Sequence, residues 1–161
     1  MRLSLIAGAL ALLLPACSPV ASKAGPAANQ AASSVHPISG LAIIALTVTR
    51  GKARHSFRVE VAATSVEQAK GLMFRTAMGA DEGMIFPMSP PRMASFWMRN
   101  TVIPLDLIFI GTDGRITNIA ADAVPYDEAP LRSTAQVKGV LELAGGRAAE
   151  LGIVAGDAVE W

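Results

Sequence analysis

Residues Gly83 to Ile110 have the sequence GMIFPMSPPRMASFWMRNTVIPLDLIFI, and the end of this stretch decides the fold. Leu105 to Ile110 is almost entirely apolar, which is typical of a short strand that is covered on both faces. Gly83 to Phe86 is predicted as another short strand, and Pro87 to Arg92 as a loop interrupted by prolines. Ser95 to Arg99 alternates as a third strand does. The stretch therefore predicts a β-rich core.

The flanking sequence continues this pattern and adds two helices. Leu41 to Thr49 and Ser56 to Ala62 are rich in β-branched and apolar residues and predict a hairpin. Thr64 to Glu67 match a capping box, so we expect a helix from Ser65 to about Phe74. Gly145 and Gly146 open a second short helix to Leu151. With about eight short strands, the expected fold class is mainly β, as a small β-sandwich or partly open barrel with two short helices.

The first forty residues differ in composition from the rest of the chain. Residues 1–16 carry one positive charge, an apolar run and small residues before Cys17, which predicts a signal peptide. Leu14-Pro15-Ala16-Cys17 resembles a bacterial lipobox and predicts lipidation of Cys17, with simple secretion and cleavage nearby as the alternative. Residues 17–40 contain few large apolar side chains, so we expect a flexible tether. Residues 41–161 then form a single β-rich domain.

These features predict an exported, periplasm-facing protein anchored to a membrane through a lipid on Cys17. Ser18 in the following position slightly favours the outer membrane, by analogy with enterobacterial sorting. Cys17 is the only cysteine among the 161 residues, so no intramolecular disulfide can form. The chain has 14 basic and 13 acidic residues, and losing Arg2 with the leader leaves 13 of each. These charges form no basic stripe, so nucleic-acid binding is not expected.

Asp106 is the most unusual polar residue, because it lies between Leu105 and Leu107 and must find partners once buried. Arg75, Arg99, Asn100 and Thr101 are its candidate partners. One interpretation is a structural carboxylate that holds the turn around Pro104 through backbone N–H groups. The other is an acid or a ligand acceptor in a cleft.

Trp97, Asn100 and Asp106 together are the kind of set that sugar sites use, a flat aromatic surface beside planar polar groups. Trp97 fits a core position equally well. Glu142 could form a carboxylate pair with Asp106 for glycoside hydrolysis, although an ion pair with Arg75 or Arg147 is the favoured interpretation. The predicted ligand-binding residues are Arg75, Trp97, Arg99, Asn100, Asp106 and Glu142.

No cofactor and no metal site are expected. Six methionines between Met73 and Met98 invite a Cu(I) hypothesis, but thioethers are also ordinary gap-fillers in cores, and no histidine or cysteine lies among them. The sequence contains no nucleophile elbow and no phosphate-binding loop. It therefore favours a non-catalytic protein over an enzyme.

Several short motifs occur in the order of a known family. They are GLMFR at Gly71 to Arg75, GMIF at Gly83 to Phe86, FWMRNTVIPLDLIFI at Phe96 to Ile110, LELAGG at Leu141 to Gly146, and GIVAGDAVEW from Gly152. Together they resemble the domain-of-unknown-function 192 family over about Leu46 to Trp161. The resemblance implies a small, mostly β domain of jelly-roll-like character that is often exported and has no established activity. Many members carry cysteines where this chain has Val124 to Ser133, so no redox or metal role is expected of that loop.

Three functional hypotheses follow from the sequence. The leading one is a membrane-tethered domain that binds a small polar or glycan-like envelope ligand, or a protein partner, without chemistry. The first alternative is a hydrolase of envelope glycans that uses an Asp106/Glu142 carboxylate pair. The second alternative is a non-catalytic structural envelope factor.

Overall fold

The computed structural model describes residues 34–161, so the predicted signal peptide and the predicted lipidation of Cys17 lie outside the described residues. The domain is mainly β, as predicted, with ten strands and two short helices in this part of the chain. The strands are β1 Ser34–Val35, β2 Ala42–Arg50, β3 Ala53–Val61, β4 Glu82–Arg92, β5 Ser95–Phe96, β6 Leu105–Gly111, β7 Ile116–Ala123, β8 Leu131–Arg132, β9 Val137–Ala144 and β10 Ala158–Glu160. The helices are α1 Ser65–Lys70 and α2 Arg147–Leu151.

One large sheet organises the domain, with strand order β1-β2-β3-β4-β9-β6-β7. Its neighbouring strands are antiparallel except for β3 and β4, which are parallel. β10 pairs with β2, and an isolated bridge joins Ala158 of β10 to Arg115 at the start of β7. This bridge brings the two ends of the strand order together at one point. The sheet is therefore a partly open barrel, which confirms the predicted fold class.

β6 is buried along its whole length, between β7 on one side and β9 on the other. Its side chains alternate between two hydrophobic clusters, because successive residues of a strand point to opposite faces. Ile108 and Ile110 join one cluster, whereas Leu107 and Phe109 join the other. Burial of each such side chain contributes about 1.5–3 kcal/mol, so β6 stabilises both faces of the sheet.

The capping box at α1 is present as predicted. The backbone N–H of Glu67 donates to Thr64 Oγ1 at 3.2 Å, and the backbone N–H of Thr64 donates to Glu67 Oε2 at 2.8 Å. The helix is shorter than expected, because it ends at Gly71, whose φ of 47° lies in a region that favours glycine. A six-residue helix buries little, and Val66 is exposed rather than buried.

Two predicted boundaries are corrected. Pro87 to Arg92 belongs to β4 rather than to a loop, although its pairing with β9 is interrupted between these two residues because prolines cannot donate to the ladder. The domain also begins earlier than residue 41, because β1 pairs with β2 and the hydroxyl of Ser39 donates to the buried Glu60. Residues 34–40 are therefore part of the domain and not of the tether.

In residues 34–161, no helix is long and apolar enough to cross a membrane.

Candidate functional site

A cavity of about 490 Å3 lies between α1, the end of β4 and the β5 segment. Phe96 and Trp97 form part of its wall, together with Met73, Met88 and Met93. Phe96 packs edge-on against Phe86, with 5.1 Å between the ring centroids, and this contact fixes the wall against the sheet. A concave cavity of this volume whose lining residues are mainly apolar and aromatic is typical of small-molecule sites.

Glu142 of β9 lines this cavity from the sheet side and is only 5% exposed. Its cross-strand neighbours, Met84 of β4 and Leu107 of β6, are both fully buried and apolar. No residue between 34 and 161 forms a hydrogen bond or an ion pair with its carboxyl group, so the predicted pairing with Arg75 or Arg147 is wrong. Burial raises the pKa of the Glu142 carboxyl to about 8. At pH 7 the group is therefore mostly a neutral carboxylic acid, which can donate one hydrogen bond and accept others.

Trp97 is a wall residue rather than a core residue, because 47% of it is exposed. The Arg99 guanidinium lies over the Trp97 ring, 4.1 Å from its centroid. Arg99 is held in turn by Glu128, through Nε–Oε1 and Nη2–Oε2 hydrogen bonds of 3.1 and 2.6 Å. These hydrogen bonds lower the pKa of the Glu128 carboxyl. Arg99 therefore orients Trp97 and does not itself line the cavity.

Two cations at the cavity were not among the predicted site residues. Lys70 lies at the end of α1, and Arg92 is the last residue of β4. Arg92 Nη2 donates to Gln68 Oε1 of α1 at 3.4 Å, which places its guanidinium beside the helix. Neither cation forms an ion pair within the described domain. Little in the sequence points to these two cations. Lys70, for example, lies at the cavity because α1 ends at Gly71.

Asp106 does not belong to this cavity. It is fully buried, and its Oδ1 accepts hydrogen bonds from the backbone N–H groups of Asp122 at 2.7 Å and Gly146 at 3.0 Å. Its Oδ2 accepts from the backbone N–H of Ala148 at 2.7 Å. None of the four side chains proposed as its partners takes that role. Asp106 therefore accepts backbone N–H groups, as the structural interpretation expected, but these groups belong to the end of β7 and the start of α2 and not to the turn around Pro104.

Asp106 and Glu142 point to opposite faces of the sheet. In the pairing of β6 with β9, Asp106 lies opposite Leu143, and Leu107 lies opposite Glu142. Paired residues share a face, whereas successive residues alternate. The two carboxyl groups are thus separated by the sheet itself. They cannot flank one glycosidic bond, so the predicted catalytic pair does not form.

Arg75 lies in a neighbouring cavity of about 550 Å3, which shares Lys70, Gly71 and Met73 with the first. Its guanidinium pairs in a bidentate manner with Glu60, with Nη1–Oε1 and Nη2–Oε2 distances of 2.9 and 3.1 Å. Both side chains are buried. Glu60 lies on the face of β3 opposite Phe57 and Val59, and alternation along the strand does not reveal its partner Arg75.

Asn100 is a turn residue with φ of 55°, a conformation that asparagine tolerates better than most residues. Its carbonyl accepts from the backbone N–H of Phe74 at 2.8 Å, and its side chain contacts Met73 Sδ. It does not line the cavity with Trp97 and Glu142. Of the six predicted ligand-binding residues, the structure brings together only Trp97 and Glu142.

Residues 34–161 contain no group of three His, Cys, Asp or Glu side chains that could hold a metal ion.

The domain is a small, partly open β-barrel, and the mostly buried side chain of Glu142 lines the cavity on one face of its sheet. The chain belongs to the domain-of-unknown-function 192 family, described as an uncharacterised ACR, whose profile matches residues 46–161. This match confirms the family resemblance seen in the motifs. No curated protein matches the chain.

Two solved structures are similar to this chain. A protein of unknown function from Novosphingobium aromaticivorans DSM 12444 is 63% identical and has a TM-score of 0.80, with 82% of this chain and 94% of that chain covered. A proposed transcription regulator from Sinorhizobium meliloti 1021 is 37% identical and has a TM-score of 0.72, with coverage of 74% and 94%. Both support the fold over nearly the full length of the neighbour.

We predict that Asp106→Asn destabilises the domain by about 2–4 kcal/mol, because an amide nitrogen would face backbone N–H groups that now donate to a carboxylate. Urea unfolding measures this change. Asp113→Asn is the matched control, since Asp113 accepts one backbone N–H in an exposed turn, and it should change stability by less than about 1 kcal/mol. Equal stability of the two variants would contradict the structural role of Asp106.

We predict that Glu142→Gln removes a pH dependence of stability. Because the folded-state pKa of about 8 exceeds the ordinary value of 4.5, the folded state binds more protons than the unfolded state between these values. Wild-type stability should therefore fall as pH rises from 4.5 to 8, by up to roughly 5 kcal/mol at about 1.4 kcal/mol per pH unit. At pH 9 the Gln variant should be the more stable protein. Urea unfolding across this range measures the effect.

Glu160→Gln is the matched control for this pH series, because Glu160 is an exposed glutamate of β10 that does not line the cavity. It should leave the pH dependence of the wild-type protein unchanged. A Glu142→Gln variant whose stability follows the wild-type curve would show that the carboxyl group titrates normally.

Proposed function

We propose that this protein is an exported, lipid-anchored envelope domain that binds a small polar or glycan-like ligand in the cavity between Trp97 and Glu142. The observation that carries the proposal is the Glu142 carboxyl group, which is 5% exposed, lines the cavity and has no partner among residues 34–161. Its oxygens are not among the fully enclosed atoms of these residues that lack a partner, so they open onto the cavity. A ligand hydroxyl group that enters the cavity would hydrogen-bond to them in place of water.

Trp97 supports a ring-shaped ligand. Its indole is half exposed on the cavity wall, and its orientation is limited by the Arg99 guanidinium that lies over it. Aromatic side chains contribute a large contact area with few rotatable bonds, so little entropy is lost when a flat ligand binds. A sugar ring has an apolar face for such a contact and hydroxyl groups at its edge for Glu142.

Binding without chemistry is the better interpretation of this site. Glycoside hydrolysis ordinarily requires two carboxyl groups on either side of the scissile bond. Among the described residues that line the cavity, Glu142 is the only acid, and Asp106 lies across the sheet. The single acid can orient a ligand but has no second carboxyl group with which to share acid and base roles.

The leader sequence carries the envelope part of the proposal. An apolar run is followed by small residues and Cys17, the only thiol of the chain. A signal peptide that ends in a modified cysteine would anchor the domain at the membrane surface, and the 16 residues from Ser18 to Ser33 would join it to β1. Such a length spans at most about 50–60 Å when fully extended.

We predict that Trp97→Ala weakens ligand binding by about tenfold or more, because aromatic contacts and the apolar area under them are lost. The wild-type protein is first screened against soluble envelope glycan fragments by NMR chemical-shift perturbation, and the affinity of the variant is then measured for each binder. Trp161→Ala is the matched control, since Trp161 is also partly exposed but packs at Gly139 outside the cavity.

The fold of Trp97→Ala should remain intact, because half of the side chain is already in solvent. A folded wild-type protein that binds no fragment would contradict the proposed function. Wild-type affinity in Trp97→Ala would remove Trp97 from the site.

We predict that Cys17→Ala moves the protein from the membrane fraction to the soluble fraction when it is expressed in a diderm bacterium. The physical reason is that acyl chains contribute roughly 0.8 kcal/mol per buried methylene group, which the variant cannot gain. Cell fractionation and mass spectrometry of the N-terminal peptide measure the change. Ser18→Ala is the control, and membrane association that persists in Cys17→Ala would contradict lipid anchorage at this residue.

A further inference from the structure

The cavity between Trp97 and Glu142 has an excess of positive charge. Lys70 and Arg92 are the cations that line it, and Glu142 is the only acid in the described lining. Because desolvation raises the pKa of the Glu142 carboxyl to about 8, this acid carries little negative charge at pH 7. An anionic group of a ligand would therefore enter a field set by two unopposed cations.

The two cations reach the cavity from different elements. Lys70 is the last residue of α1, and Arg92 is the last residue of β4. The Arg92 guanidinium donates to Gln68, two residues before Lys70 on the same helix. Glu142 approaches from the sheet, between Met84 and Leu107. A ligand that touches all three groups must have an anionic end near the helix and a neutral hydrogen-bonding part near the sheet.

We propose that the cavity selects hydroxyl-rich carboxylates, such as sugar acids, with Lys70 and Arg92 binding the ligand carboxylate and Glu142 binding a ligand hydroxyl group. This inference rests on the proposed function, because it names the chemical class of ligand for the same cavity. Arg92 can bind a carboxylate through two parallel hydrogen bonds, whereas Lys70 acts as a compact charge.

Ligands of other charge fit this arrangement less well. An ammonium group would be repelled by Lys70 and Arg92, and it could pair with Glu142 only after that carboxyl group had lost its proton. A neutral sugar could contact Trp97 and Glu142 but would leave both cations without a partner. Charge at one end of the ligand thus distinguishes compounds that share the same ring.

The test uses three probes with one common ring, namely glucuronate, glucose and glucosamine. NMR chemical-shift titrations of the full chain at pH 7 measure their dissociation constants. Glucuronate should bind most tightly, glucose more weakly and glucosamine most weakly. The preference for glucuronate over glucose should shrink in high salt, because the contacts with Lys70 and Arg92 are screened.

Variants then assign the selectivity to the two cations. Lys70→Gln and Arg92→Gln should each weaken glucuronate binding by about 3–10-fold and weaken glucose binding by a clearly smaller factor, because glucose has no carboxylate for the cations to bind. Lys52→Gln is the matched control, because Lys52 is an exposed lysine in the β2–β3 turn, and it should change neither affinity.

The possible outcomes separate this inference from the proposed function. If glucose binds as tightly as glucuronate, or if glucosamine binds best, the anion selectivity is overturned while the binding function stands. Equal losses for glucose and glucuronate in the cation variants would also overturn it. If none of the three probes nor any envelope glycan fragment binds the folded protein, both proposals fail.

Discussion

The pairing of β6 with β9 is the constraint on which the rest of the domain depends. β6 is buried on both faces, and its apolar side chains alternate between the two hydrophobic clusters. Its register with β9 sends Asp106 to the face that holds α2 and Glu142 to the face that holds the cavity. A shift of one residue would turn the side chains of β6 to the opposite faces and place Asp106 on the same face as Glu142, away from the backbone N–H groups of Gly146 and Ala148 that now donate to it. The loss of these hydrogen bonds by a buried carboxylate opposes such a shift.

Four carboxyl groups are buried in residues 34–161, and they are accommodated in three different ways. Asp157 accepts a hydrogen bond from the backbone N–H of Val154 at 2.9 Å. Asp106 accepts backbone N–H groups and serves the geometry of α2. Glu60 pairs with the Arg75 guanidinium and, through Ser39, ties the N-terminal segment to β3. Glu142 has neither kind of partner in residues 34–161 and faces a cavity instead. Glu142 is therefore the buried acid for which residues 34–161 provide no hydrogen-bond or ion-pair partner.

Much of the fold could be predicted from local sequence, because local rules govern it. Thr64 and Glu67 cap α1 through neighbouring backbone groups, and the β2–β3 hairpin follows from two β-branched runs around a short turn. The extent of α1 was not predictable in the same way, because Gly71 ends the helix after six residues and leaves the apolar Val66 exposed. The burial of Glu60 depends on Arg75, fifteen residues away, and alternation along a strand does not reveal such a partner.

The candidate site was predictable only in part, because it too depends on residues that are distant in the sequence. Residue type drew attention to Trp97 and Glu142, but residue type does not show where the folded chain leaves a cavity. That space exists because α1 stops at Gly71 and because β4 loses its register with β9 beyond Pro87. These two local defects open the sheet face above Glu142, and they also bring Lys70 and Arg92 to its edge. The helix end and the register shift that leave space for the cavity therefore also place its two positive charges.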